Sequence, residues 1–165
     1  MKKTVSKKLI WICIAGFVAI ISIALFRNLS NKNSGSNEER SKYLYSIKNK
    51  YIGDSSADMR IINELKIAKD LNIEIKANTE GNNILIINVN GDKTGNLSYE
   101  KYSAILLALI ENASEIHWNI NNTEHIEVTL SSAAAKYGNI KDYGKTPEKL
   151  HSFLTAVGYY KETEN

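Results

Sequence analysis

The chain has a single cysteine, Cys13, and a single proline, Pro147. One cysteine excludes an internal disulfide, so any folded part must hold together by burial. One proline leaves nearly the whole chain free of that helix and strand breaker. Long basic runs are missing as well. Net charge is +3, but Lys2, Lys3, Lys7, Lys8 and Arg27 all stand ahead of the first acid, Glu38. Without those five cations, 16 basic residues face 18 acidic ones, a net of −2. Nucleic-acid binding draws on a basic face, so this balance excludes DNA and RNA as partners.

Catalytic signatures are absent too. No serine sits in G-x-S-x-G, and Cys13 lies inside an apolar run, so no nucleophile is marked. The stretch Gly91-Asp92-Lys93-Thr94-Gly95 lacks the spacing of a phosphate-cradling P-loop. No loop is dense enough in oxygen ligands for calcium. Asp54, Asp58, Glu111 and Glu115 are acids without a pairing signature, and turn and capping roles account for the first two. The sequence therefore gives no reason to expect an enzyme, and no cofactor.

What is present begins with Leu9 to Phe26, LIWICIAGFVAIISIALF, eighteen residues without a formal charge. As a helix this run spans about 27 Å, close to the hydrocarbon thickness of a bilayer. Four lysines precede it and Arg27 and Lys32 follow, so the heavier basic end is expected in the cytoplasm and the rest outside. A cleaved signal peptide competes with this reading. Its apolar core is usually about 7–15 residues, and here Leu25 and Phe26 extend the run past the Ser22-Ile23-Ala24 cleavage candidate. A lipoprotein is excluded because Ile12 precedes Cys13. The expected partner of Leu9 to Phe26 is membrane lipid.

The expected organisation is a basic tail over 1–8, a transmembrane helix over 9–26 and a flexible stalk over 27–42. An extracytoplasmic domain over 43–160 and a disordered tail over 161–165 come after it. The stalk is rich in Asn, Ser and charge. In the domain, Tyr51-Ile52-Gly53-Asp54-Ser55 reads as a sharp turn into a helix, with Ser55 and Asp58 as its capping pair. Tyr51, Gly53, Asp54 and Ser55 form the one candidate binding or turn motif. Ile73, Ile75 and Ala77 alternate with polar residues, and Ile84 to Asn90 returns as a central strand, predicting a hairpin. Asn96 or Ser98 caps the longest helix of the domain, running to about Asn112, with Tyr102, Ile105, Leu106 and Leu109 on its main buried stripe.

Glu115 to Leu130 predicts a second hairpin. Pairing Ile120 with Ile126, Trp118 with Val128 and Ile116 with Leu130 puts all six on the core side, around a loop at Asn122-Thr123-Glu124. His117, Asn119, His125 and Glu127 then share the other face. Zinc takes such ligands. In this register, however, His117 faces Thr129 and His125 faces Asn121, on the order of 13 Å apart along the strands. That is too far to share an ion, and no metal site is expected. Ser131 or Ser132 starts a short helix ended by Gly138, and Thr146-Pro147-Glu148 starts a last one, with Asp142 to Lys145 as the connector. Nine tyrosines, among them Tyr43, Tyr45, Tyr51, Tyr99 and Tyr102, offer an amphipathic surface for a partner.

The ordered combination of the Tyr51–Ser55 motif, the Ala104–Asn112 helix with Ile116 and Trp118 after it, and Ser131-Ser132-Ala133 through Gly138 resembles the domain-of-unknown-function family 4825. The resemblance covers about Tyr43 to Phe153. It implies a membrane-anchored, extracytoplasmic domain of Gram-positive bacteria, sometimes attached to membrane metallopeptidases of the β-lactam-sensing kind. It brings no accepted active site. This chain lacks H-E-x-x-H, so no protease role carries over.

The expected fold is α+β: one four-stranded antiparallel sheet from two hairpins, helices packed on one face, preceded by one transmembrane helix. The expected role is a non-enzymatic interaction or sensor domain outside the membrane, with an unknown protein or small-molecule partner. A cell-envelope hydrolase with an unrecognised site and a structural accessory subunit of a membrane complex are the alternatives.

Overall fold

The computed structural model describes residues 36–163. The chain divides into two units, with the border between Glu38 and Glu39, and the second unit carries the sheet and its helices. The expected transmembrane helix, Leu9 to Phe26, and the basic tail lie outside the described residues, as does most of the stalk. Among the described residues, no helix is long and apolar enough to cross a membrane.

The second unit opens in helix α1, which runs to residue 46. Ser41 and Leu44 are fully buried on it, so the expected stalk border at residue 42 falls inside a packed helix. Helix α2, Ser55–Glu64, comes next. Strands β1, Asn72–Asn78, and β2, Ile84–Asn90, form the expected hairpin, pairing antiparallel from Asn72 opposite Asn90 to Asn78 opposite Ile84. A short 3-10 turn, Thr94–Asn96, leads into α3, Tyr99–Leu109. Strands β3, Glu115–Ile120, and β4, Glu124–Thr129, form the second hairpin. Helices α4, Leu130–Tyr137, α5, Ile140–Tyr143, α6, Pro147–Ala156, and α7, Tyr159–Thr163, complete the order.

The sheet order is β1-β2-β3-β4. Both hairpins are antiparallel, but β2 and β3 pair parallel, Leu85 opposite Ile116 and Ile87 opposite Trp118. The sheet is therefore mixed, which corrects the expected antiparallel arrangement. The cause is α3. It carries the chain back along the sheet between β2 and β3, so β3 must run the same way as β2. The mostly apolar β2 strand suits this central place, with Leu85, Ile87 and Val89 all fully buried.

Helices cover one face. Leu85, Ile87 and Val89 meet Ile116, Trp118 and Ile120 there, and α3 lies in contact with β3, β4, α2, α4 and α5. Cover on all sides explains why α3 is buried from Lys101 through Leu109 rather than along one stripe. Trp118 is fully buried beneath it, donating Nε1–H to Ser103 Oγ at 2.8 Å with its ring edge-on to Tyr99 at 5.2 Å. Burying the indole therefore leaves no donor unsatisfied.

The end of α3 is closed by a segment just before Gly144, close to the expected connector. Lys141 on α5 donates to the carbonyls of Leu107, Ile110 and Ala113 at 2.7, 2.8 and 2.7 Å. An ammonium has three donors, and all three are used, one on the Leu107 carbonyl that the helix end orphans and two on carbonyls just past that end. Gly144 lets the next turn approach: a Cβ there would stand 1.9 Å from Ala108 O. Caps elsewhere match the sequence more closely. Thr146 Oγ1 accepts from Lys149 N ahead of Pro147, and Gly138 ends α4 with φ at +84°. Part of the expected disordered tail, up to Thr163, belongs to α7, whose Tyr159 is fully buried under the Arg40 guanidinium at 5.2 Å.

Candidate functional site

Residues 49–58 hold the motif singled out in the sequence. Gly53 turns the chain at φ +115°, a conformation that glycine adopts without strain. Asp54, not Ser55, caps α2, its Oδ1 accepting from Ala57 N at 3.0 Å. This corrects the expected Ser55–Asp58 capping pair. Asp58 is buried and used inward: Asn49 Nδ2 donates to its Oδ1 at 2.8 Å and to Tyr51 O at 2.7 Å. Asn49 also bonds through its backbone to Leu109 O and Glu111 N, and Asn112 Oδ1 accepts from Ile52 N at 2.8 Å. The turn is thus stitched to the end of α3. Burial first, then the Asp54 charge, raises Asp58 above the ordinary carboxylate value, against the pull of Asn49 and the Gly53 N–H. Of the motif, Tyr51 is the exposed aromatic, at 60% exposure. The structure brings Tyr51, Gly53, Asp54 and Ser55 together as a fastened turn with that ring projecting.

A second constellation lies on the sheet face that the helices leave open. Two rows cross it. Lys76, Ile86, His117 and Glu127 stand opposite one another in register, and Glu74, Asn88, Asn119 and His125 form the next row. The β3/β4 register differs by two residues from the expected one: Trp118 faces Ile126, Ile116 faces Val128 and His117 faces Glu127. Leu130, expected opposite Ile116, instead begins α4. The reason is the turn. Thr123 N donates to Ile120 O at 3.0 Å, and Asn121 and Asn122 take φ of 49° and 57°. That left-handed pair closes the hairpin right after Ile120, and asparagine tolerates it. Asn121 is pinned further by its side chain, which accepts from Gly91 N at 2.9 Å and donates to Thr94 Oγ1 at 3.2 Å.

The corrected register brings the two imidazoles together. Their ring centroids are 5.4 Å apart and nearly perpendicular, which removes the expected separation that spoke against a shared ion. His125 Nε2 lies 2.8 Å and His117 Nδ1 3.9 Å from Glu127 Oε1. The His125 hydrogen bond first, then the His117 charge, holds the Glu127 carboxyl below its usual range. The signal that could have found this cluster was the Asn121-Asn122 pair, which marks the turn and with it the register. The third histidine, His151, is remote on α6, where its Nδ1 meets the Tyr160 hydroxyl at 3.3 Å. Of the tyrosines offered as a partner surface, Tyr43 and Tyr51 are exposed, whereas Tyr102, Tyr159 and Tyr160 complete the core.

Fold and site together define a class: a small α+β domain with a mixed four-stranded sheet, helices on one face and a polar, histidine-bearing row on the other. The family model for a domain of unknown function, DUF4825, matches residues 44–138, and the chain belongs to that family. The matched span runs from α1 through the end of α4, so it contains both the fastened turn and the histidine row. Comparison with curated proteins and with solved structures gives no match.

Proposed function

We propose that this is a single-pass membrane protein whose second unit stands outside the cytoplasm as a non-enzymatic interaction or sensor domain. One observation carries the reading. Eighteen uncharged residues, Leu9 to Phe26, come after four lysines and precede a domain whose charge is nearly balanced. The first gives an anchor and an orientation. The second gives a surface that a partner reads by shape and hydrogen bonding more than by bulk charge. Signalling in a Gram-positive envelope is the setting that the family resemblance suggests for such a domain.

A photocrosslinking amino acid placed at Tyr51 in intact cells tests the role. The interaction reading expects one discrete adduct at Tyr51, and none from a control position at the buried Leu44. Failure to form any adduct at Tyr51 or at other exposed positions, such as Lys76 on the open sheet face, counts against it.

A further inference from the structure

We infer that His117, His125 and Glu127 on the open face of the sheet form a binding site for a divalent first-row transition metal of the zinc class. The site does not depend on whether Leu9 to Phe26 is an anchor. One ring nitrogen of each histidine and a Glu127 oxygen all lie within 4.8 Å of one another, and the nitrogens that face Glu127 Oε1 are His125 Nε2 at 2.8 Å and His117 Nδ1 at 3.9 Å. Zinc holds nitrogen and oxygen ligands at about 2.0–2.2 Å, so small rotations about these side chains close the set around one ion. Glu127, at 56% side-chain exposure, has room for that movement.

The other ring nitrogens point to a prepared site. His117 Nε2 lies 2.9 Å from Glu115 Oε2, and His125 Nδ1 lies 2.7 Å from Asn119 Oδ1. Asn119 is itself fixed, donating Nδ2–H to Asn88 Oδ1 at 2.7 Å. Carboxylate and amide oxygens accept, so each of these ring nitrogens carries the proton. A metal that replaces the His125–Glu127 hydrogen bond then finds His117 Nδ1 and His125 Nε2 as the nitrogens left for ligation, both on the Glu127 side.

Histidine ligands whose far nitrogen is held by a carboxylate or amide oxygen are the usual support around protein-bound metals. Imidazole with carboxylate suits zinc, copper, nickel and cobalt over magnesium and calcium. Three protein ligands on an open face leave a further coordination position to water or to an incoming group.

The test is cobalt(II) titration of the full chain, purified in detergent without a polyhistidine tag, with zinc competition afterwards. The expected result is one equivalent of Co²⁺ with a visible absorption band, displaced by Zn²⁺ and indifferent to millimolar Mg²⁺ or Ca²⁺. His125→Ala and Glu127→Gln, at exposed positions that leave the fold intact by circular dichroism, each abolish the band. Asn119→Ala keeps the stoichiometry but weakens affinity about 10- to 100-fold, the loss expected on removing a supporting partner. His151→Ala changes nothing. Absence of saturable binding, or binding that survives His125→Ala and Glu127→Gln, overturns the assignment.

Discussion

Replacing Lys141 by Met tests how the end of the central helix is held. Methionine keeps most of the stem and removes the three N–H donors. Of the three carbonyls they serve, Ile110 O keeps a second donor, Ala113 N, at 3.3 Å. The Leu107 and Ala113 carbonyls have Lys141 as their donor. A buried carbonyl left without a partner costs about 1–3 kcal/mol, so two cost about 2–6 kcal/mol. Relief from burying a charge offsets part of that, leaving about 3 kcal/mol. For a domain of this size that is roughly 10 °C of melting temperature.

Thermal unfolding at pH 7 measures it, and the pH dependence gives an independent check. Burial lowers Lys141 from 10.5 to about 8, with the Glu111 charge opposing. Between those two values the unfolded chain keeps a proton that the folded chain has released, so wild-type stability gains as pH rises through the interval. Lys141→Met lacks this gain, and the gap between the two proteins widens from pH 8 upward. A melting temperature within about 2 °C of wild type at pH 7, or a gap that narrows with pH, refutes the reasoning.

Two further substitutions probe the packing that positions the site. Asn49→Ala removes the donor to buried Asp58 and the tie to Tyr51 O; a buried polar group that loses its partner costs about 1–3 kcal/mol, read as a lower urea midpoint and faster proteolysis near Tyr51. Gly144→Ala drives a methyl into the Ala108 carbonyl at 1.9 Å, and a loss of about 3 kcal/mol or more is expected in thermal unfolding.

The two strands of the first hairpin were legible because Ile73, Ile75 and Ala77 alternate and the return strand is apolar. Thr146-Pro147 likewise announced α6 through cap chemistry that is local. The parallel pairing of β2 with β3 was not legible, since no local pattern states which way a strand returns after a crossover helix. The β3/β4 register failed for a subtler reason. A slip of one residue turns the apolar set outward, but a slip of two preserves the alternation. Both registers bury Ile116, Trp118 and Val128 equally well, and only the left-handed Asn121-Asn122 turn separates them. That choice decides whether His117 and His125 are neighbours. Helices α5 and α7 escaped because, at four and five residues, they show no periodicity. Their anchors, Lys141 on α3 carbonyls and Tyr159 near Arg40, are long-range contacts.

The most direct test of the anchored, outward-facing reading is labelling of Tyr51→Cys in intact cells with a membrane-impermeant maleimide. Tyr51 is 60% exposed, and Cys13 lies within the apolar segment, so a Cys13→Ser background isolates the probe. The account predicts full labelling before lysis, with the labelled chain sedimenting with membranes until detergent is added. Labelling that occurs only after the cells are opened contradicts it.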